Sequence, residues 1–213
     1  MKTDNSTMPF MPEKETAYLR EAYQEARVIL EYGAGGSTRI AASLPEKFTM
    51  SVESDPNWAR TLQQEIDASD PASPAVVYYS DIGLVGPWGR PLNPESWRHF
   101  FRYPLDIWEE PFFRHPDTIL IDGRLRNACM AMVLLRCTQP VTVLFDDYGV
   151  RPLYQEIEQI IRPSKLVGRL ARFDVAPDMT TKSQLSFLTK QFAAGSFHNS
   201  QGEAFYHTTP PPW

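Results

Sequence analysis

Acidic residues stand at or just beyond the ends of five short apolar runs in this sequence of 213 residues. They are Glu31, Glu53, Asp81, Asp122 and the pair Asp146 and Asp147. If the runs are parallel strands, their carboxyl ends meet at one edge of a sheet, which is where ligands bind in open α/β proteins. One such acid would be an ordinary solvated carboxylate or a helix cap, but their recurrence at the same edge predicts a ligand site.

A glycine-rich turn, Gly33-Ala-Gly35-Gly36, follows the first apolar run and precedes a helical pattern. Glycines let a ligand approach the backbone without an intervening Cβ, and the following helix offers free N–H groups. Glu53 stands 20 residues after Gly33, the spacing at which an acid on a second strand accepts both hydroxyls of a ribose. The turn and the acid together predict a cofactor that contains a nucleoside.

The turn differs from the dinucleotide fingerprint G-x-G-x-x-G, because the last position is Thr38 and Glu31 would repel a pyrophosphate. An acid there suits a ligand with a positive amino group. The sequence in this respect resembles the class I S-adenosylmethionine-dependent methyltransferases, whose first motif is an acid followed by three glycines at alternate positions. The resemblance covers roughly residues 28–192, and it departs at Ser37, which occupies the third glycine position beside an additional Gly36.

The resemblance implies a role for each acid at the predicted sheet edge. The methionine end of S-adenosylmethionine would be held by Glu31, Gly33, Gly35 and Gly36, the ribose hydroxyls by Glu53, and the adenine by Asp81 and Ile82. Asp122 would lie beside the methyl group, and Asp122 and Asp146 are the candidate catalytic residues. The implied function is methyl transfer to a small acceptor that bears a hydroxyl group.

Asp122, Asp146 and Asp147 follow adjacent predicted strands and offer oxygen ligands for Mg²⁺, which would lower the pKa of an acceptor hydroxyl. This arrangement resembles the metal-dependent O-methyltransferases, which use an acid after the fourth strand and an acidic pair, or an acid plus an amide, after the fifth. The lysine that some members carry three residues past the first ligand is Leu125 here. The alternative is that Asp146 and Asp147 cap the next helix and turn.

The elements needed to position these residues can be read from the apolar pattern. Unbroken apolar runs at 27–32, 48–52, 75–79, 118–121 and 141–145 alternate with helical patterns, which predicts a parallel sheet covered on both faces. The segments 165–175 and 184–192 have no room for a crossover helix between them and are predicted to form an antiparallel hairpin. The predicted fold is α/β: Rossmann-like, doubly wound, with a seven-stranded, mostly parallel sheet and a C-terminal antiparallel hairpin.

Residues 1–195 are expected to form one α/β domain, and 196–213 a surface tail. The stretch 84–116 is too long for an ordinary connection and is rich in proline and aromatic residues. It is interpreted as an insertion, and two readings of it stay open. It could form a wall of the acceptor site, or it could be a small subdomain that packs on the sheet edge or mediates a homodimer contact.

The composition limits the classes of partner that are expected. With 21 basic and 26 acidic residues the net charge is -5, which argues against DNA and RNA. The first ten residues lack the apolar region of a secretory signal, and no run approaches 18 apolar residues, so a soluble cytoplasmic protein without a membrane segment is expected.

Two other functions remain open at this point. One is a non-catalytic protein that keeps the nucleoside-binding fold and uses residues 84–116 as an interaction surface. The other is a nicotinamide-dependent oxidoreductase, which would require the dinucleotide to tolerate Glu31.

Overall fold

A computed structural model describes residues 10–193 and the backbone of 196–198 and 204–206. The sheet has seven strands in the order β3-β2-β1-β4-β5-β7-β6. Their bounds are β1 Val28–Tyr32, β2 Phe48–Glu53, β3 Ala75–Tyr79, β4 Thr118–Ile121, β5 Val141–Phe145, β6 Lys165–Val167 and β7 Leu170–Val175. The first five strands are parallel, and β7 is antiparallel to both β5 and β6. The predicted fold class is confirmed.

Helices cover both faces of this sheet. They are α1 Glu13–Glu25, α2 Gly36–Ser43, α3 Pro56–Ala68, α4 Arg102–Leu105, α5 Arg126–Arg136 and α6 Leu185–Ala193. Along β1, Ile29 packs with α1 and α2, whereas Leu30 packs in the larger core on the opposite face. Because both faces of the strands are buried, their sequences are continuous apolar runs rather than alternating ones.

The C-terminal hairpin is present, but its predicted bounds are wrong. The segment 165–175 contains both strands, because the chain reverses at Gly168 and Arg169, where Gly168 has φ +56°. Residues 185–193 form helix α6 instead of a strand. Leu185, Leu188 and Phe192 recur at helical spacing, and Leu188 is fully buried in the main core.

The second half of the chain contains two further elements outside the main sheet. After β5, Pro152–Gln159 form a 3₁₀ helix. Within the predicted tail, β8 Ser196–His198 and β9 Ala204–Tyr206 form a two-stranded antiparallel sheet, and the remaining tail residues lie outside the described part. Among the helices that the structure describes, none is both long and apolar enough to cross a bilayer.

The insertion 84–116 has two structurally different halves. Its second half is helical and buries Phe100, Tyr103, Ile107 and Trp108 in the main core. Tyr32 of β1 anchors it, since the Tyr32 hydroxyl donates to the carbonyl of Pro104 at 2.7 Å and accepts from Trp108 Nε1 at 2.7 Å. Its first half contains the turn Pro87–Gly89 and exposes Leu84 and Trp88.

The turns after β1 and β4 touch through their backbones. The amide of Gly123 donates to the carbonyl of Tyr32 at 2.5 Å. A Cβ built on Gly33, which has φ +107°, would lie 2.7 Å from Gly123 Cα. A side chain at position 33 is therefore excluded by both space and backbone conformation.

We predict that Gly33→Ala lowers the free energy of unfolding by more than about 2 kcal/mol, because the new Cβ meets the Gly123 backbone in a conformation that L-residues rarely adopt. Gly35→Ala is the matched control. Gly35 has φ 176° and a Cβ there meets nothing within 4 Å, so only a helix-cap cost below about 1 kcal/mol is expected. Urea unfolding monitored by circular dichroism measures both, and equal losses would contradict the backbone-contact explanation.

Candidate functional site

A cavity of about 400 Å³ opens at the carboxyl ends of β1, β2 and β4. The turn after β1 contributes Gly33, Gly35 and Gly36, the end of β2 contributes Glu53, and the turn after β4 contributes Asp122. The structure therefore brings together the glycine turn and two of the acids singled out in the sequence. A volume of this size is typical of sites for small molecules and cofactors.

Glu31 does not reach this cavity. It is fully buried on the face of the sheet that packs against α1 and α2, where its carboxylate accepts three hydroxyl hydrogen bonds. The donors are Tyr23 at 2.7 Å, Thr38 at 2.6 Å and Ser51 at 2.5 Å. Burial raises the pKa of Glu31, and the bonds from Ser51, Thr38 and Tyr23 oppose that rise.

Thr38 connects Glu31 to the turn. Its hydroxyl donates to Glu31 and accepts a hydrogen bond from the amide of Gly35 at 2.9 Å. The first turn of α2, which follows, borders the cavity. Glu31 thus supports the glycine turn through Thr38, whereas the resemblance implied that it contacts the methionine end of the cofactor.

Glu53 is held at the cavity wall by the backbone that follows it. Its Oε1 accepts the amides of Ser54 at 2.6 Å and Asp55 at 2.8 Å. Burial raises the pKa of Glu53, and the N–H groups of Asp55, Ser54 and Ala34 counteract it. Glu53 as a residue is 9% exposed, and the orientation of its carboxylate is fixed by its own backbone, so the carboxylate is preorganised to accept hydrogen bonds from hydroxyl groups.

The first half of the insertion covers this acid. The Ser54 hydroxyl donates to the carbonyl of Gly89 at 2.8 Å, and a Cβ on Gly89 would lie 2.4 Å from the same hydroxyl oxygen. This close approach places Trp88 at the cavity, where its ring lies 5.5 Å from that of Phe10.

Asp81 and Ile82 are not at the cavity. Ile82 is fully buried in the main core, and Asp81 Oδ1 accepts the amide of Gly83 at 3.0 Å. Four aromatic side chains border the cavity instead: Phe10 and Trp58, which the sequence did not single out, and Trp88 and Tyr103 from the aromatic-rich insertion. Trp58 also braces the glycine turn, because its Nε1 donates to the carbonyl of Ala34 at 2.9 Å.

Arginines surround the three aspartates expected to bind Mg²⁺. Arg126 pairs with Asp122 at 2.9 Å and with Asp147 at 3.4 Å. Arg169, from the hairpin turn, makes bonds of 2.9 and 2.7 Å to the two oxygens of Asp146 and lies 3.4 Å from Asp147. Arg151 pairs with Asp147 at 2.9 Å.

These pairs correct the expectation of a metal site. Three guanidinium groups already neutralise the three carboxylates, so a divalent cation would have to displace them and would meet their positive charge. In the described part of the chain, no group of three or more histidine, cysteine, aspartate or glutamate side chains could hold a metal ion. The magnesium site at Asp122, Asp146 and Asp147 is therefore not supported.

Asp122 differs from its two neighbours because it reaches the cavity. Its side chain is 31% exposed, against 1% for Asp146 and 11% for Asp147. Desolvation raises the pKa of Asp122 to about 7; the charge of Arg126 opposes this rise and the Asp146 carboxylate adds to it. A carboxylate whose pKa is near neutrality can exchange a proton at physiological pH.

Sequence reasoning also missed two arginines at the cavity, Arg39 and Arg124. The Arg39 side chain is paired with Glu65 and lies over the ring of Trp58, 5.5 Å from its centroid. Arg124 lies two residues after Asp122, and its position in the turn after a strand could have indicated that it belongs to the site.

Comparison with known proteins identifies similar structures. A methyltransferase-like protein from Silicibacter pomeroyi is 42% identical to this chain, covering 86% of it and 95% of that protein, with a TM-score of 0.82. Cofactor-bound Rv0187 from MTB is 16% identical, covering 82% of this chain and 86% of that one, with a TM-score of 0.55. An O-methyltransferase from Bacillus cereus in complex with SAH is 16% identical, covering 78% and 82%, with a TM-score of 0.51. No protein-family model and no curated protein matches the sequence.

We predict that millimolar MgCl₂ changes the melting temperature by less than about 1 °C, because arginines already neutralise the three aspartates. A resident Mg²⁺ site at about 100 times its Kd would instead add about 2.7 kcal/mol, or roughly 5 to 10 °C for a chain of this size. NaCl of equal ionic strength is the control. A saturable increase that Asp147→Asn abolishes would contradict the prediction and restore the metal site.

Proposed function

The chain belongs to the family of the Silicibacter pomeroyi methyltransferase-like protein, within the class I S-adenosylmethionine-dependent methyltransferase superfamily, and we propose that it methylates a small acceptor that bears a hydroxyl group. The observation that carries the proposal is the convergence of the glycine turn, Glu53 and Asp122 on one cavity. The SAH bound to the Bacillus cereus O-methyltransferase, which shares the fold, agrees with this choice of cofactor.

The cavity fits S-adenosylmethionine in its chemistry. Gly35 leaves open space where a Cβ would be, so a ligand can approach the turn closely. The first turn of α2 offers N–H groups to the methionine carboxylate. Glu53 would accept the ribose hydroxyls, and the rings of Trp58 and Trp88 are available to stack on adenine in place of Asp81 and Ile82.

In this proposal Asp122 accepts the proton of the acceptor hydroxyl. S-adenosylmethionine supplies, when bound, an electrophilic methyl group on a sulfonium. The chain's own contribution is to hold the acceptor beside that group and to remove its proton, and both accelerate a displacement. Asp146 is buried and engaged by Arg169, so its role is to position Asp122 through the arginine and carboxylate network.

A non-catalytic interaction protein is the second candidate. It is favoured by five large apolar side chains that the insertion exposes, Leu84, Trp88, Leu92, Trp97 and Phe101, at 72%, 68%, 39%, 63% and 46%. The two functions differ in one measurement, since only a methyltransferase converts S-adenosylmethionine to S-adenosylhomocysteine when an acceptor is present.

The cofactor assignment predicts binding of S-adenosylhomocysteine at about micromolar Kd, or roughly 8 kcal/mol. Glu53→Ala should raise that Kd at least about tenfold, because it removes charge-assisted hydrogen bonds worth about 1.5 to 3 kcal/mol each. Glu21→Ala, on the exposed side of α1, removes the same charge far from the cavity and should leave Kd unchanged. Isothermal titration calorimetry measures all three proteins. Absence of binding to the wild type would exclude the proposed function.

The proton-transfer assignment predicts a pH dependence. The pKa of Asp122 is raised to about 7, so the carboxyl is protonated below that pH and cannot accept a proton. The rate should therefore increase with pH, about tenfold per unit below pH 7, and level off above it. Initial rates of S-adenosylhomocysteine formation measure this, with the most active member of a panel of small hydroxyl compounds.

Asp122→Asn should reduce that rate by about 10² to 10⁴ and remove its dependence on pH, because the amide has no proton to accept or release in this range. Asp122 is paired with Arg126, so unchanged S-adenosylhomocysteine binding by the variant serves as the control for folding. An unaltered pH profile in Asp122→Asn would show that another group accepts the proton.

A further inference from the structure

Arg124 is a cationic side chain at the cavity that has no partner in the described part of the chain. Its guanidinium forms no ion pair there. The Nε–H group is shielded from solvent and donates a hydrogen bond to no acceptor in that part of the chain. The neighbouring Arg126, Arg151 and Arg169 each pair with at least one aspartate, and Arg39 pairs with Glu65. Buried or half-buried guanidinium groups are normally paired, so an unpaired one at a cavity indicates a missing anion.

The surroundings of Arg124 add to the demand for an anion. Burial lowers the pKa of Arg124, and the positive charges of Arg126 and Arg90 lower it further, against a smaller opposing effect of Tyr103. The side chain remains a cation nonetheless, because arginine does not lose its proton in proteins. An anion in the cavity would relieve both the desolvation and the repulsion.

The backbone holds Arg124 in this position. The Arg124 amide contacts the Tyr103 hydroxyl at 3.4 Å, and the next residue, Leu125, is left-handed with φ +51°. That conformation is unfavourable for leucine, and such residues cluster at ligand sites. After this turn Arg126 points to the aspartates beneath the cavity, whereas Arg124 borders the cavity itself.

We propose that Arg124 binds a carboxylate of the methyl acceptor. The inference rests on the proposed function and deepens it, because it states what the acceptor must carry besides its hydroxyl. Arg124 and Asp122 belong to the same short turn, so a hydroxyl beside Asp122 and a carboxylate beside Arg124 can come from one small molecule. The guanidinium fork matches a carboxylate. Because Glu53, Asp55 and Asp122 also line the cavity, a singly charged group fits better than a dianion.

The first part of the test asks whether the anion belongs to the acceptor or to the cofactor. Arg124→Gln and Arg124→Lys are compared with the wild type in calorimetric titrations of S-adenosylhomocysteine and of methylthioadenosine, which lacks the carboxylate. Changes of less than threefold in both affinities are expected for Arg124→Gln. A tenfold loss for S-adenosylhomocysteine alone would assign Arg124 to the cofactor's carboxylate and overturn the proposal.

The second part probes the acceptor side with benzoate and its neutral counterpart benzamide, titrated into protein saturated with S-adenosylhomocysteine and followed by NMR. The wild type should bind benzoate at least tenfold more tightly than benzamide, Arg124→Gln should lose that preference, and Arg124→Lys should keep part of it. Arg98→Gln, which removes an exposed arginine that lies over Trp97 in the insertion, should behave as the wild type.

Equal binding of benzoate and benzamide by the wild type, or an undiminished preference in Arg124→Gln, overturns the proposal. Melting temperatures of the variants within about 3 °C of the wild type establish that they fold. The failure of the proposed function is recognised separately, because wild-type protein would then not bind S-adenosylhomocysteine in the first titration.

Discussion

The contact between the turns after β1 and β4 sets the geometry on which the whole cavity depends. The amides of Asp122 and Gly123 both donate to the carbonyl of Tyr32, at 3.0 and 2.5 Å, and Gly33 lies against Gly123 without a side chain between them. This backbone contact fixes the distance between the glycine turn and the carboxylate of Asp122. The side chain of Tyr32 extends into the core, where its hydroxyl makes hydrogen bonds to Pro104 and Trp108 of the insertion. One residue thus connects the sheet, the two turns and the insertion.

Charge balance explains how the ends of β4 and β5 can carry three aspartates close together. Beyond desolvation, the Asp146 and Asp147 carboxylates both contribute to the raised pKa of Asp122, and three arginines compensate the three negative charges. These arginines come from helix α5, the segment after β5, and the hairpin turn. A guanidinium group can neutralise a carboxylate and orient it, but unlike a metal ion it does not strongly acidify a hydroxyl. In the proposed reaction the proton acceptor is therefore a side chain of this protein, and Asp122 is the acid of the three that reaches the cavity.

The sequence predicted correctly those features that neighbouring residues determine, and it missed those that depend on contacts between residues far apart in the chain. The five parallel strands were predicted because burial on both faces leaves continuous apolar runs, and strand ends then located the glycine turn, Glu53 and Asp122. The hairpin was misplaced because a two-residue reversal at Gly168 was hidden in an apolar segment. Arg169 lies 23 residues after Asp146, and no periodicity indicates that the two meet. The structure does not support the predicted magnesium site for this reason: the sequence shows the acids but not the arginines that pair with Asp146 and Asp147 over long range.

The insertion shows why composition alone could not decide between its two readings. Its second half places aromatic residues in the main core, as a structural subdomain would, while Trp88 and Gly89 from its first half close over Glu53. Tyr103 links the core to the cavity, since its ring is buried in the core and its hydroxyl contacts the Arg124 amide at the cavity. A change on this side of the cavity is thereby coupled to the packing of the core. Trp88 borders the cavity and is not part of the main core, whereas the close approach to Ser54 restricts position 89 to glycine. For the proposed function we infer that acceptor specificity can vary most freely at position 88.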